Sequence, residues 1–74
     1  MSNLGNQIRR YIVQVATGRF LTETGEWTEA IESAMTFTSF TALLRACRER
    51  HLKNVDILMQ PVGSARGVRI PLHC

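Results

Sequence analysis

Two reversals seven residues apart constrain the first third of this chain more than any other feature. Thr17-Gly18 is followed by a charged residue and an aromatic (TGRF), and Thr24-Gly25 repeats the pattern (TGEW). Glycine takes positive φ without steric penalty, so each Thr-Gly reads as a tight turn, with Gly18 and Gly25 as structural residues. Between them Arg19-Phe20-Leu21-Thr22 has room only for a short strand. Before them, RRYIVQVA is rich in the β-branched and aromatic residues that suit a pleated surface. Tyr11, Val13 and Val15 share one face of that strand; Ile12 and Gln14 share the other. The reading is an antiparallel hairpin with a second reversal behind it.

A glycine-rich phosphate loop is the competing interpretation of the doublet. Such a loop gathers several glycines between a strand and a helix, often with a lysine for the anion. Here a strand-like segment separates the glycines, and Glu23 and Glu26 would repel a phosphate. Phe20 and Trp27 accordingly read as core or rim aromatics. Stacking on bases would need basic neighbours, and only Arg19 qualifies.

Downstream, Thr28 is read as an N-cap for a helical turn or two, with Glu29 and Glu32 near the positive end of its dipole. MTFTSF alternates, so Met35 and Phe37 suit a brief strand. Thr38 or Ser39 then caps the main helix, FTALLRACRERHL. In it Phe40, Leu43, Leu44 and Cys47 form one apolar stripe, while Arg45, Arg48 and Glu49 fall away from it. Lys53-Asn54 is a suitable exit, Asn tolerating the left-handed conformation. Val55 to Met59 is the next strand, stopped by Pro61. After the loop VGSARG, Val68-Arg69-Ile70 with Pro71 reads as a final short edge strand.

The fold class that follows is α+β: a small antiparallel sheet of three to five short strands packed against one main helix. The order is strand, strand, a short helical turn or strand, helix, then one or two strands. At 74 residues there is room for one domain, so residues 1–8 are taken as a flexible N-terminus and residues 9–74 as a single domain. No apolar run reaches the roughly 18 residues of a membrane span, and the N-terminus lacks the apolar stretch of a signal peptide. The expected protein is cytoplasmic with no membrane association, and in that reducing compartment Cys47 and Cys74 are expected as thiols.

The net charge of +3 conceals a segregation: Glu23, Glu26, Glu29 and Glu32 fall in one block without Lys or Arg, and the nine bases lie outside it, opposed only by Glu49 and Asp56. A basic surface favours phosphate-rich partners, whereas an acidic patch on the same small body opposes wrapping by nucleic acid. Eight arginines against one lysine favour bidentate recognition of phosphate or carboxylate. Arg45, Arg48, Arg50, Arg66 and Arg69 are the candidate nucleic-acid contacts, although no recognised reader motif accompanies them. Their plainer role is solvation and local ion pairing, such as Arg45 with Glu49.

Other chemistry finds few parts. Cys47, His51, His73 and Cys74 are the soft ligands, and Cys47 with His51 has the i, i+4 spacing of one helical face. A zinc module on these four is the lowest-ranked reading, because Cys47 completes the apolar stripe. As a nucleophile Cys47 lacks exposure and an orienting third group. Ser33, Ser39 and Ser64 have no evident His and acid partners, and the glutamate series reads as a solvated face. No enzyme, cofactor or small-molecule substrate is expected.

The arrangement Y-I-V at Tyr11 to Val13, G-R-F-L-T at Gly18 to Thr22, G-E-W-T at Gly25 to Thr28, then Ala34, Phe37, Ser39 and Leu43 resembles a class of small uncharacterised bacterial and phage-associated domains. These consist of a strand, a Gly-x-aromatic-Leu-Thr hairpin, a Trp and a helix. The resemblance covers about residues 11–50 and implies a fold without a function. The functional expectation rests on size instead. One helix can scarcely cover a sheet built by so short a chain, so a free sheet edge or face is expected to bind a protein partner or a second copy. Nucleic-acid binding through the arginines is the alternative.

Overall fold

The computed structural model describes residues 8–63 and 66–72. These residues form β1 (Ile8–Gln14), β2 (Phe20–Leu21), β3 (Trp27–Thr28), a 3₁₀ turn (Ile31–Ser33), α1 (Phe40–Glu49), β4 (Val55–Pro61) and β5 (Val68–Leu72). The five strands form one antiparallel sheet in the order β3-β2-β1-β4-β5. The α+β fold with one main helix is therefore present, and the apolar residue-rich segment at Tyr11 is the central strand. The expected flexible terminus falls almost wholly on residues 1–7, outside the described residues.

Both glycine turns form. Gln14 donates its N–H to the Arg19 carbonyl (2.8 Å) and accepts at its own carbonyl from Gly18 N–H (2.7 Å), closing the first hairpin. Gly25 N–H donates to the Thr22 carbonyl (3.0 Å) in the second. Gly18 and Gly25 have φ of +74° and +87°. After the Val13–Phe20 pair β2 leaves β1, and the segment around Phe37 takes its place: Phe37 N–H donates to the Arg10 carbonyl (2.9 Å). The short strand expected at Met35 and Phe37 is thus reduced to a single bridge.

The core lies between α1 and one sheet face. Ile12, Leu21, Val55, Ile57 and Leu72 of the sheet meet Leu43 and Cys47 of α1, with Phe37 completing the cluster. Trp27, Met35, Leu44, Leu52 and Met59 pack around it partly buried. On the opposite face Tyr11 and Val13 are also buried, and Tyr11 meets the Phe20 ring at a centroid distance of 5.9 Å. The centre of β1 is therefore covered on both sides, which explains its unbroken apolar run.

Four local expectations are corrected. Thr28 does not cap a helix: it belongs to β3, and its hydroxyl accepts from Ala30 N–H (3.1 Å), while Ala30 itself precedes the 3₁₀ turn. A two-residue β3 consumes the position where the cap was expected. Ser39 does cap α1, its hydroxyl accepting from Ala42 N–H (3.1 Å). The helix nevertheless stops at Glu49, before the expected Leu52. His51, at φ +53°, takes the left-handed terminating position: His51 N–H donates to Arg48 O (3.1 Å) and Leu52 N–H to Cys47 O (3.0 Å). This double bond pattern is a Schellman motif built without glycine. Asn54 is left-handed too, at φ +57°, and leads into β4. Phe40 leaves the apolar stripe: it is 47% exposed, because it occupies the first helical turn, beyond the part of the helix seated on the sheet. Lastly, Cys47 is disulfide-bonded rather than a thiol.

Candidate functional site

The exposed large apolar side chains are unevenly distributed. Strand register places Ile8, Arg10 and Ile12 of β1, Ile57, Met59 and Pro61 of β4, and Val68, Ile70 and Leu72 of β5 on the helix-bearing face. α1 covers only part of this surface. Between α1 and the outer strands lies a groove of about 610 Å³. Phe40 and Leu44 form its helical wall; Ile57 and Met59 form its floor; Ile70, Pro71 and Leu72 form its far side, and Arg10 contributes the one charge. Ile70 is 40% and Val68 60% exposed. A strip of exposed apolar surface thus lies on the helix side of the sheet, beside the helix itself.

Arg10 is held in place. Its Nη1 donates to the Thr38 carbonyl (2.9 Å), tying β1 to the residue before the cap of α1. The helical wall continues into a second depression lined by Thr41, Leu44, Arg45, Arg48 and Glu49. Leu44 belongs to both, so the apolar groove runs into a charged rim. At about 100° per residue, Arg48 stands about 40° round the helix from Leu44, Arg45 about 100° and Glu49 about 140°. The basic groups are nearer the groove than the acid. No ion pair joins Arg45 to Glu49 among the described residues, so that expected pairing is corrected.

The edge of β5 can be read from the hydrogen-bond pattern. Arg10 and Gln14 direct their carbonyls away from β4, to Phe37 and Gly18, while Val15 N–H donates to the Asn54 carbonyl on the β4 side (3.0 Å). Alternation along an antiparallel ladder then turns Val55, Ile57 and Met59 toward β5, and Val68, Ile70 and Leu72 back toward them. Arg69 and Pro71 face outward. Pro71 has no N–H to offer, so the open edge lacks a donor where a further strand would need one.

The five candidate arginines do not converge. Arg45 and Arg48 lie on the outer surface of α1. Arg50 reaches the other end of the sheet, its Nη2 donating to the Glu23 carbonyl (3.2 Å) in the Gly25 turn. Arg69 is on the face opposite the helix and pairs with Asp56 (Nε to Oδ2, 2.7 Å). Arg66 is exposed in the loop before β5. Phe20 and Trp27 are half-buried, Phe20 against Tyr11 and Trp27 against the core, so neither forms a stacking platform beside Arg19. Arg19 itself lies 3.5 Å from Glu29, an exposed pair of little energetic weight.

The zinc set fares similarly. Cys47 is fully buried and disulfide-bonded, so its sulfur is not a thiolate ligand. His51 ends the helix in a left-handed conformation, which removes it from the i, i+4 helical face shared with Cys47. His73 and Cys74 lie outside the described residues. No group of three or more candidate ligands occurs among the described residues. No helix among the described residues is long and apolar enough to cross a membrane.

Sequence reasoning missed the groove itself and Arg10's place in it. The available signal was Phe40, an aromatic at the first position of the helix, one turn before the residues that pack. No family model matches the chain, and comparisons with curated proteins and with solved structures return no match.

Proposed function

We propose that this domain is a non-catalytic protein-binding module that receives another polypeptide in the groove between α1 and strands β4 and β5. The observation that carries this reading is the apolar strip of Phe40, half-buried Met59 and Ile70 along the groove, exposed at Phe40 and Ile70 and bordered by Arg10. Apolar surface of this kind gains free energy when a partner removes it from water, and aromatic, Met and Arg side chains are those enriched in protein interfaces. What supports the face over the sheet edge is Pro71, which interrupts the outward donors of β5. What sets nucleic acid second is the commitment of Arg50 and Arg69 to internal partners on different sides of the domain. What supports a non-catalytic role is the loss of Cys47 as a nucleophile and the use of Ser39 as a cap.

A second copy of the chain is one partner this reading admits, and the cytoplasmic location read from the sequence belongs to it. The disulfide at Cys47 weighs toward an oxidising compartment instead; alkylation trapping in cells followed by mass spectrometry distinguishes the two.

The binding reading is tested by selecting peptides from a displayed random library against the intact domain and mapping their footprints by amide chemical shifts. The expected footprint centres on Phe40, Leu44, Met59 and Ile70. Binding is expected to be lost in Ile70→Glu and in Phe40→Glu, both at exposed positions, with the circular dichroism spectrum retained. A library without enrichment, or footprints on another surface, would overturn the proposal.

A further inference from the structure

We infer that the groove selects an acidic amphipathic segment: a partner stretch that presents an apolar stripe to the floor and carboxylates to Arg10, Arg45 and Arg48. This rests on the binding reading above and adds the chemistry of the occupant. The apolar groove and the basic rim are one continuous surface, because Leu44 lines both depressions and Arg48 follows it by one helical turn. Arg48 also borders the next depression along the helix, with Lys53 on its lining, so the positive rim extends past the groove toward the helix C-terminus. Neither Arg45 nor Arg48 has a carboxylate partner within the domain among the described residues.

The chain's own acids are elsewhere. Glu23, Glu26, Glu29 and Glu32 lie in and after the β2–β3 turn, at the end of the sheet remote from β5. Glu49 is the one acid on the rim, and it stands farther from the groove than either arginine. Glu49 is therefore the one domain glutamate beside the guanidinium groups that an occupant's carboxylates would meet, and it forms an ion pair with neither Arg45 nor Arg48 among the described residues. Arginine suits this task because its planar fork can hold a carboxylate in a bidentate geometry. Complementary charge at the rim sets orientation and partner choice, while the apolar floor supplies affinity.

Nucleic acid also carries negative charge, but its bases bind by stacking on aromatic rings, and Phe40 is the one aromatic side chain among the groove's lining residues. A basic amphipathic segment would match the floor and meet repulsion at the rim.

The experiment uses fluorescence anisotropy with two synthetic amphipathic peptides of equal length and identical apolar faces, one with glutamate and one with lysine at the flanking positions. A labelled single-stranded oligonucleotide is the third probe. With two to three rim pairs formed, the glutamate peptide is expected to bind about tenfold tighter than the lysine peptide at low salt, with the gap narrowing as salt rises. The double variant Arg45→Glu/Arg48→Glu is expected to invert the preference, and Arg45→Lys/Arg48→Lys to keep its direction, which separates a charge effect from misfolding. Equal binding of the two peptides would overturn the acidic selectivity while leaving the groove reading in place. Binding of neither would remove both. Tighter binding of the oligonucleotide, lost in the double charge reversal, would overturn the inference in favour of nucleic acid. So would a concentration-dependent dimer in sedimentation that the same reversal abolishes, since the occupant would then be a second copy.

Discussion

At the scale of single residues, Gly18 and Gly25 share a left-handed backbone but differ in surroundings. A Cβ on Gly18 would meet nothing within 4 Å, whereas one on Gly25 would lie 2.8 Å from Arg50 Nη1. Gly18→Ala is expected to lose about 1 kcal/mol of stability from the backbone conformation alone. Gly25→Ala is expected to lose about 1 kcal/mol more, because Arg50 must also give up its bond to the Glu23 carbonyl. In urea denaturation, combining Gly25→Ala with Arg50→Ala should then be less destabilising than the sum of the two singles. Additive effects would show that Arg50 does not pin the turn.

At the scale of elements, α1 is held at both ends by side-chain and backbone devices of different quality. Ser39→Ala removes the acceptor for Ala42 N–H and is expected to lower stability by about 1 kcal/mol. At the other end, His51 adopts φ +53° with a side chain that disfavours it, so His51→Gly is expected to raise stability by roughly 0.5–1 kcal/mol, read from the denaturation midpoint. A loss would mean that the imidazole contributes more than the strain removes. β5 presents the complementary case, an element shaped by what it must avoid. Pro71→Val restores an outward N–H on the open edge and is expected to produce concentration-dependent association in sedimentation, absent or weaker in the parent. A variant as monomeric as the parent would show that the edge is protected by something other than proline.

At the scale of the whole molecule, sheet order converts a linear charge pattern into a polarised body. The acidic block closes the β3 end, and the groove with its arginine rim lies toward β5. The buried sulfur of Cys47 belongs to the same scale, because it is disulfide-bonded while taking part in the core. Titration of the native protein with a thiol reagent is expected to detect no reactive thiol at Cys47, and reduction is expected to lower the melting temperature. A reactive Cys47 in the folded, unreduced protein would return it to the thiol originally expected. Leu43→Ala, at the centre of the helix–sheet contact and fully buried, is expected to cost about 2–5 kcal/mol, a large share of the stability available to so small a domain.

By itself the sequence determined those features that depend on neighbours along the chain. Gly18 and Gly25 take positive φ because glycine has no Cβ to clash there. Ser39 caps because its hydroxyl reaches the N–H three residues on. The alternation of strands and the apolar spacing of α1 follow from local periodicity, and with so few elements they leave little choice but a sheet with one helix upon it. The tertiary structure alone decided matters of register and seating. Which part of the sheet α1 covers depends on where the crossover from β3 to β4 sets it down, and that turned Phe40 from core residue to groove wall. Which way Pro71 points depends on pairing across three strands. Whether five arginines make one patch depends on their faces and partners, and strand pairing sent Arg69 to the far side while Arg50 reached back to the hairpin. Periodicity assigns a side chain to a face, but only the packed neighbours decide whether that face is covered.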